Sequence, residues 1–274
     1  MSNLKVALCC IGRLENRYAK EFVEHYLKLG IDHIFVYDNN FGDEEHFEDV
    51  LKDYIKLGSV EVINARDKIR VQNLCYNDCY AKHKNEYDWF AFLDFDEYLV
   101  LEKNRTIQEF LEEKKGFDCV LINWKCMSDN NLVHYEDKPL MERFTEECPI
   151  NLCVQYEGIP ENMHVKSIVR GSLNSIDFNG NPHVPSNNII CCNADGNECN
   201  KSPFQPISWT TAYIKHFTTK TIDEWLMNKL KKGVADRDYD LFLKTYKYRF
   251  FKYNQMTKEK EDFIRAYAQK ERKS

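Results

Sequence analysis

Three carboxylates stand directly after a short apolar segment of the chain. Residues 89–93 are Trp-Phe-Ala-Phe-Leu, and Asp94, Asp96 and Glu97 follow. The segment is too short for a helix and rich in aromatic residues, so it predicts a buried strand. Negative charges crowded at one strand end are costly unless a cation neutralises them, and Mg²⁺ and Mn²⁺ prefer oxygen ligands of this kind. The pattern predicts a metal–diphosphate site, with three solvated acids in a turn as the alternative.

The composition is typical of a globular protein without an electrostatic preference for nucleic acid. Of the 274 residues, 43% are hydrophobic and 30% are charged, and the formal net charge is −6. A chain of this length can bury a large core, and its negative charge argues against nucleic-acid binding. The eleven cysteines show no Cys-x-x-Cys spacing, and the sequence contains no signal peptide and no long apolar segment. We therefore expect reduced thiols and a cytoplasmic protein.

Strand and helix signals alternate through the first hundred residues. The alternating segments, strand first, are residues 5–11, 14–29, 33–37, 47–57, 60–63, 71–83 and 89–93. This alternation predicts parallel strands with helices packed on the faces of the sheet. Ligands bind at the carboxyl ends of such strands, and Asp38 and Asp94 both follow a predicted strand. We expect these two acids to line one crevice.

The second half of the sequence is less regular than the first. Capping-box patterns begin at Thr106 and Thr221 and predict a helix after each. Apolar runs predict strands at residues 117–124 and 212–214. Residues 125–208 are rich in Asn, Pro and Gly and predict mostly loops and short strands. Long irregular segments often build binding sites in compact proteins.

Several sequence patches, in the correct order and spacing, carry a resemblance to a known family. Residues 25–33 (HYLKLGIDH) and 37–40 (YDNN) are similar to the family stretch YHLKLGVDHFYIYDNNS, and residues 94–97 (DFDE) fall where its DIDEF metal motif falls. Residues 11–21 are similar to its KNE…Y…EW opening, with Arg-Leu in place of Lys-Asn. Further matching patches are residues 123–124, 142–145, 166–170, 181–183 and 216–221. The chain thus resembles bacterial relatives of glycosyltransferase families 2 and 92.

The resemblance implies an α/β fold of the GT-A type. This fold has a Rossmann-like, mostly parallel central sheet flanked by helices, here with an irregular and helical C-terminal part. We expect one glycosyltransferase domain at residues 1–240, with a nucleotide-binding half at 1–100 and an acceptor half at 101–240. Residues 241–274 would form a basic helical tail, either solvated or in contact with anionic lipid.

The resemblance also implies an activity and its partners. It points to a metal-dependent hexosyltransferase that uses Mn²⁺ or Mg²⁺ and transfers the sugar from a nucleoside diphosphate sugar, most simply a UDP-sugar, with inversion. The acceptor would be a cell-surface glycan or a lipid-linked saccharide of bacterial polysaccharide biosynthesis. The place of action would be the cytoplasm or the inner face of the cytoplasmic membrane, which the basic tail would touch.

Metal ligands follow from the same resemblance. Asp96 would hold the ion, with Asp94 helping directly or through water, and Asp94 would belong to the catalytic machinery. Enzymes of this fold commonly recruit a histidine from the C-terminal part of the chain. His216 is favoured for this role over His183, which lies in a loop between two prolines.

Besides Asp94, four residues are candidate contacts of the sugar donor. Asp38 would touch the base or ribose, although a cap of the following Asn-Asn turn would explain it equally. Arg70 and Gln72 follow the third strand, where an arginine could pair with phosphate or lie on the surface. Lys166 could bind donor phosphate or an acidic acceptor.

An inverting transfer needs a general base near the acceptor hydroxyl. The candidates are Glu142, Glu157 and Asp177, and Glu142 is preferred because it lies in a matching patch.

Two rival functions stay open. One is a catalytically inactive carbohydrate- or nucleotide-binding protein of the same fold. The other is a haloacid-dehalogenase-type phosphatase, which Tyr98 disfavours because that family usually has Thr or Val at this place.

Overall fold

The structure is a computed structural model, and it describes residues 4–149, 158–232 and 250–271. The chain forms two units, the first made of residues 1–124 and 162–215 and the second of residues 125–161 and 216–274. The predicted domain boundary after residue 240 and the candidate base Glu157 lie outside the described residues. The division into one domain and a basic tail therefore stays a prediction.

The first unit begins with the alternation that the sequence predicts. In chain order its elements are β1 (Val6–Gly12), α1 (Asn16–Leu29), β2 (His33–Asp38), α2 (Phe47–Lys56), β3 (Val60–Asn64), α3 (Gln72–His83) and β4 (Trp89–Phe92). Strand β1 pairs in parallel with β2 on one side and β4 on the other, and β3 pairs in parallel with β2. All residues of β4 are buried, which is why this strand is a continuous apolar run.

Further strands extend this sheet. They are β5 (Glu97–Leu101), β6 (Cys119–Cys126), β7 (Val165–Arg170), β8 (Cys191–Asn193), β9 (Glu198–Cys199) and β10 (Ala212–His216), and helix α4 (Ile107–Glu112) lies between β5 and β6 in sequence. The strand order is β3-β2-β1-β4-β7-β6-β10-β5, with β8 paired to β6 and β9 paired to β8. The predicted α/β fold with helices and a central sheet is confirmed. Its parallel part is β3-β2-β1-β4.

Strand β7 is antiparallel to both of its neighbours, β4 and β6. The sequence does not mark it as a central strand, because the polar residues Lys166 and Ser167 interrupt its apolar pattern. Both residues are buried. Strand β5 likewise begins at a buried acid, Glu97, rather than at an apolar residue.

Local signals set the ends of the helices. Helix α1 ends at Gly30, whose φ of +99° lies in the left-handed region that favours glycine. Before α4, the Thr106 hydroxyl accepts a hydrogen bond from the Glu109 N–H at 3.3 Å, and the Glu109 carboxylate accepts one from the Arg105 N–H at 2.8 Å. The cap predicted at Thr106 is confirmed, with the Glu109 carboxylate bonded to the N–H of the residue before the cap.

The second unit contains helices α5 (Leu140–Arg143), α6 (Ile222–Lys232) and α7 (Lys258–Glu271). The capping box predicted at Thr221 is confirmed, because the Thr221 hydroxyl accepts from the Glu224 N–H at 3.4 Å and the Glu224 carboxylate accepts from the Thr221 N–H at 3.2 Å. Arg143 pairs with the same carboxylate at 2.8 Å, and Lys260 pairs with Asp129. In the described part of the chain, every helix is too short or too polar to cross a lipid bilayer.

Candidate active site

A buried aromatic ring anchors the turn that carries the strand-end acids. Phe95 is 2% exposed, and its ring stacks on the ring of Phe47 with the centroids 5.0 Å apart. A Cβ on Gly12 would lie only 2.6 Å from the Phe95 ring. Gly12, the last residue of β1, is therefore needed to seat Phe95, and the seated ring fixes the chain between Asp94 and Asp96.

Helix α3 holds the side chain of Asp94 with two hydrogen-bond donors. Gln72 Nε2 donates to Asp94 Oδ1 at 2.7 Å, and the Tyr76 hydroxyl donates to the same oxygen at 3.1 Å. Gln72 Nε2 also lies 3.0 Å from the Tyr76 oxygen, which accepts its second N–H. A carboxylate oxygen offers two lone pairs, so both positions of Asp94 Oδ1 are used.

The other oxygen of Asp94 accepts from a buried lysine. Lys166 Nζ lies 2.8 Å from Asp94 Oδ2 and 3.5 Å from Glu97 Oε2, and the Lys166 side chain is 0% exposed. The same Glu97 oxygen accepts the Asp94 N–H at 2.9 Å. Lys166 therefore sits between a carboxylate that is 32% exposed, Asp94, and one that is fully buried, Glu97.

The protonation of this cluster follows from its burial. Burial opposes the charge of Lys166, but Asp94 and Glu97 outweigh it and raise the lysine pKa above its ordinary value. Burial raises the pKa of Glu97 well above its usual range, and Lys166 lowers it only in part. The cluster is an ammonium ion shared by two carboxyl groups of which only Asp94 reaches the surface.

The structure thus brings together three of the predicted donor contacts, Gln72, Asp94 and Lys166. Tyr76 also belongs to this group, although no sequence pattern predicted it, and Glu97 was predicted only as one of three acids. Tyr76 lies one helical turn after Gln72, so the two side chains share a face of α3, and this spacing is a signal that could have found it.

Asp38 is the acid at the end of β2, and its partners are structural. Arg66 Nη1 lies 2.7 Å from Asp38 Oδ2, while Asp38 Oδ1 accepts from the Asn40 N–H at 2.9 Å and from Asn40 Nδ2 at 2.7 Å. Asp38 is 2% exposed. The alternative explanation of Asp38 as a turn cap is confirmed, and its contact with a nucleotide stays a prediction.

The strand-end acids do not form a closed metal cage. Across the described parts of the chain, the one set of three side chains whose ligand atoms lie within 4.8 Å of one another is Asp38, His46 and Glu48. Arg66 already pairs with Asp38, and the other two side chains are exposed. An ion at this set would compete with the Arg66 guanidinium for Asp38.

The strand-end acids can bind a metal ion only if other groups, such as substrate phosphates, supply the rest of its oxygen ligands. Asp94 already accepts from Gln72, Tyr76 and Lys166, and Glu97 is buried. Asp96 is partly exposed, so it is the other strand-end acid, besides Asp94, that is not fully buried. Mg²⁺ is typically bound by one or two carboxylates plus substrate phosphates, and this donor set matches that arrangement.

His183 lies within the electrostatic reach of the same cluster. Its Nδ1 is 2.9 Å from the Val165 carbonyl oxygen, which only accepts, so Nδ1 carries the hydrogen and Nε2 keeps a lone pair. Burial and then the charges of Lys166 and His164 lower the pKa of His183 to about 3, and the charge of Asp94 acts in the opposite sense. A neutral ring with one N–H on a backbone carbonyl is the usual state of a metal-binding histidine.

Two further predicted site residues belong to the second unit. His216 ends β10, is 7% exposed, and has Nδ1 3.1 Å from the Thr218 hydroxyl. Glu142 lies on an exposed face of α5. Their roles as metal ligand and general base stay predictions.

The remaining candidates lie on loops of the first unit. Arg70 is exposed and has a φ of +55°, unusual for an arginine, in the loop before α3. Asp177 is held within its own loop, where Oδ1 accepts from the Asn179 N–H at 3.0 Å and Oδ2 from Asn179 Nδ2 at 2.7 Å. Asp177 Oδ1 also accepts from Asn77 Nδ2 of α3 at 3.3 Å, and the role of Asp177 as a general base stays a prediction.

Comparison with known proteins extends these observations. The sequence profile of glycosyltransferase family 92 matches residues 8–269. A glycosyltransferase family 92 protein from Oryza sativa subsp. japonica is 25% identical over 118 residues, which are 39% of this chain and 18% of the relative. The galactan beta-1,4-galactosyltransferase GALS1 of Arabidopsis thaliana is 31% identical over 91 residues, which are 27% of this chain and 18% of the relative. The chain therefore spans only about a fifth of these plant proteins.

Solved structures give weaker likenesses. The crystal structure of S. aureus TarS 1-349 in complex with UDP-GlcNAc has a TM-score of 0.38 and 16% identity, and the alignment covers 48% of this chain and 37% of TarS. The relatives named above are plant proteins, so they give no support to the predicted bacterial assignment.

Proposed function

Since the chain belongs to glycosyltransferase family 92, we propose that it transfers a hexose from a nucleoside diphosphate sugar to a saccharide acceptor. Galactan galactosyltransferases are among its relatives, which supports galactose as a candidate sugar. The proposed donor is a UDP-sugar, and the proposed acceptor is a glycan or a lipid-linked saccharide. The proposed outcome is inversion at the anomeric carbon.

The observation that carries this proposal is the convergence of Gln72, Tyr76 and Lys166 on Asp94 at the carboxyl end of β4. In α/β sheets of this kind, ligands bind at the carboxyl ends of the strands. A polar network with one carboxylate edge exposed is suited to orient a bound nucleotide sugar, because its side chains are already fixed before the ligand arrives.

A Mn²⁺ or Mg²⁺ ion would neutralise the negative charge that grows on the departing diphosphate. Asp96 is the protein ligand that we propose for it, with Asp94 adjacent. Neutral His183 is a candidate additional ligand on the geometry of its ring, alongside the earlier prediction of His216. Asp94 itself, fixed by its three donors, would set the position of the turn and so the direction in which Asp96 points.

A general base must take the proton of the acceptor hydroxyl in an inverting transfer. Glu142 stays the preferred candidate from the sequence, and its exposed place on α5 leaves its carboxylate accessible to solvent.

Action in the cytoplasm, with the basic C-terminal tail at the membrane face, is part of the same proposal and depends on where the acceptor is made.

A hydrolysis screen tests the proposal. The purified chain is incubated with a panel of nucleotide sugars in Mn²⁺, in Mg²⁺ or in EDTA, and release of the nucleoside diphosphate is measured. We expect one UDP-hexose to be hydrolysed faster than its epimers, with loss of activity in EDTA. Binding of UDP without hydrolysis of any sugar would instead favour an inactive binding protein, and release of phosphate from an aryl phosphate would favour a phosphatase.

A further inference from the structure

The charge of the strand-end acids is already balanced from inside the protein. Crowded carboxylates at the end of β4 predict a cation among them, and the structure supplies one in Lys166. Its side chain is 0% exposed, and its ammonium lies 2.8 Å from Asp94 and 3.5 Å from Glu97. A lysine this deeply buried is rare unless carboxylates pair with it.

The place of Lys166 conflicts with direct metal binding by Asp94. A divalent ion lies about 2.1 Å from a carboxylate oxygen. The Lys166 ammonium lies 2.8 Å from Asp94 Oδ2, so an ion on that oxygen would sit about 4 Å from the ammonium. Two cations at this separation repel each other strongly in a partly buried site. The other oxygen of Asp94 already accepts from Gln72 and Tyr76.

Neither partner of this ion pair has an easy way to move aside. Lys166 extends from β7, which is paired on both sides in the centre of the sheet. Asp94 is held by Gln72 and Tyr76, and the turn after it is anchored by the buried ring of Phe95. The ion pair is a fixed feature of the strand end rather than a surface contact.

We propose that Lys166 is the built-in counter-ion of the acids, a positioning residue that holds Asp94 and Glu97 and keeps a divalent metal from binding ahead of the nucleotide. The metal then binds together with the diphosphate, whose oxygens complete its ligands and whose charge offsets the repulsion by Lys166. This inference rests on the proposed use of a nucleoside diphosphate sugar, and it assigns Lys166 to the acids rather than to donor phosphate.

Binding of Mn²⁺ alone tests the inference without any measurement of activity. The electron paramagnetic resonance signal of free Mn²⁺ is titrated with the full chain, with and without UDP. We expect the wild-type protein to bind Mn²⁺ at least about tenfold more weakly without UDP than with it. We expect Lys166→Met to bind Mn²⁺ about tenfold more tightly than wild type in the absence of UDP, because the competing ammonium is gone.

Two further variants keep the test decisive. Lys84→Met is the matched control, because the Lys84 ammonium donates to the carbonyl oxygens of Leu173 and Asn174 at 2.9 and 2.6 Å, and we expect it to bind Mn²⁺ as wild type does. If Lys166→Met does not fold, the double variant Lys166→Met/Glu97→Gln removes the buried acid that would be left without a cation. We expect the double variant to keep the gain in Mn²⁺ affinity.

Two results would overturn the inference. One is wild-type binding of Mn²⁺ that is equally tight with and without UDP. The other is an unchanged Mn²⁺ affinity in both folded Lys166 variants. Failure of the proposed function gives a different pattern, in which no protein binds UDP while Lys166→Met still gains affinity for Mn²⁺, and that pattern would support the counter-ion role.

Discussion

Buried ion pairs occur in both units of the chain, and they differ in how completely they are closed. In the second unit, Arg143 donates to both oxygens of Glu224, at 2.8 and 3.0 Å, and both side chains are 1% exposed. In the first unit, Lys166 is 0% exposed, whereas its partner Asp94 is 32% exposed. One pair is sealed on every side, and the other keeps one carboxylate at the surface.

This difference in exposure distinguishes a pair that only stabilises the fold from a pair that could also contact a ligand. A fully buried pair offers no charged group to a ligand, so its removal lowers only the stability of the fold. A half-open pair fixes a charged group that solvent and ligands can reach, which is what a binding site requires. The exposure of the acid, rather than the presence of the pair, is therefore the property that points to the strand end of β4 as the candidate site.

The largest loss of stability is expected when the buried pair between Arg143 and Glu224 is broken. Arg143→Met leaves Glu224 buried without its cation, so we expect the free energy of unfolding to fall by about 3–5 kcal/mol in urea denaturation. The control is Lys138→Met, which removes an exposed pair with Glu136 and should cause no measurable change. A loss below about 1 kcal/mol for Arg143→Met would mean that the pair is no more important than a surface one.

The buried histidine His25 makes the free energy of unfolding depend on pH. Burial lowers the pKa of His25 from its ordinary 6.5 to about 4, and Nε2 donates to the Leu99 carbonyl at 2.9 Å. Below pH 6.5 the unfolded chain binds a proton that the folded chain does not, so this histidine reduces stability as the pH falls toward 4, by up to about 3 kcal/mol.

The variant His25→Gln keeps a donor for Leu99 and has no titrating group. We expect urea denaturation to show a smaller loss of stability between pH 6.5 and pH 4 for this variant than for wild type. His134→Gln is the control for replacement of a histidine whose side chain is 63% exposed. Equal pH slopes for wild type and His25→Gln would show that this ring does not titrate as its burial requires.

Removal of one acid at the open pair should affect activity rather than stability. We expect Asp96→Asn to lower sugar transfer or hydrolysis by about 100-fold, which corresponds to nearly 3 kcal/mol in the transition state. Its melting temperature should stay close to that of wild type, because Asp96 is partly exposed. Asp53→Asn on the exposed face of α2 is the matched control, with full activity expected. Wild-type turnover by Asp96→Asn would place the reaction elsewhere.

The smallest effect is expected from one donor to Asp94. Tyr76→Phe removes the hydroxyl that bonds Asp94 at 3.1 Å, while Gln72 and Lys166 stay in place. We expect about a fivefold weaker affinity for UDP and a loss of about 1 kcal/mol in stability. In the control, Tyr54→Phe removes an exposed bond to Glu24, and UDP affinity should not change. An unchanged UDP affinity in Tyr76→Phe would mean that this hydroxyl does not support the site.

The parallel half of the fold could be predicted from the sequence because its elements carry strong local signals. Strand β4 is apolar throughout since both of its faces are buried, and α1 ends at a glycine in the left-handed region. Strand β7 has no such signal. Lys166 and Ser167 are polar but buried, and the carboxylates that pair with Lys166 come from the turn after β4 and from the start of β5.

The acids of the site could be predicted, whereas their partners could not. Asp94 stands out because it ends an apolar run, but Gln72 is 22 residues away and Lys166 is 72 residues away. Only the folded sheet brings these residues together. The metal ion expected at the acids stays a prediction, and no pattern in the sequence indicated that a lysine 72 residues away lies beside them.

A crystal structure of the chain with UDP and Mn²⁺ tests the central claim most directly. We expect the diphosphate at the carboxyl end of β4, with the metal on Asp96 and the Lys166–Asp94 pair unbroken beside it. Density for the diphosphate at another part of the molecule, with the turn from Asp94 to Glu97 in contact with solvent alone, would contradict it.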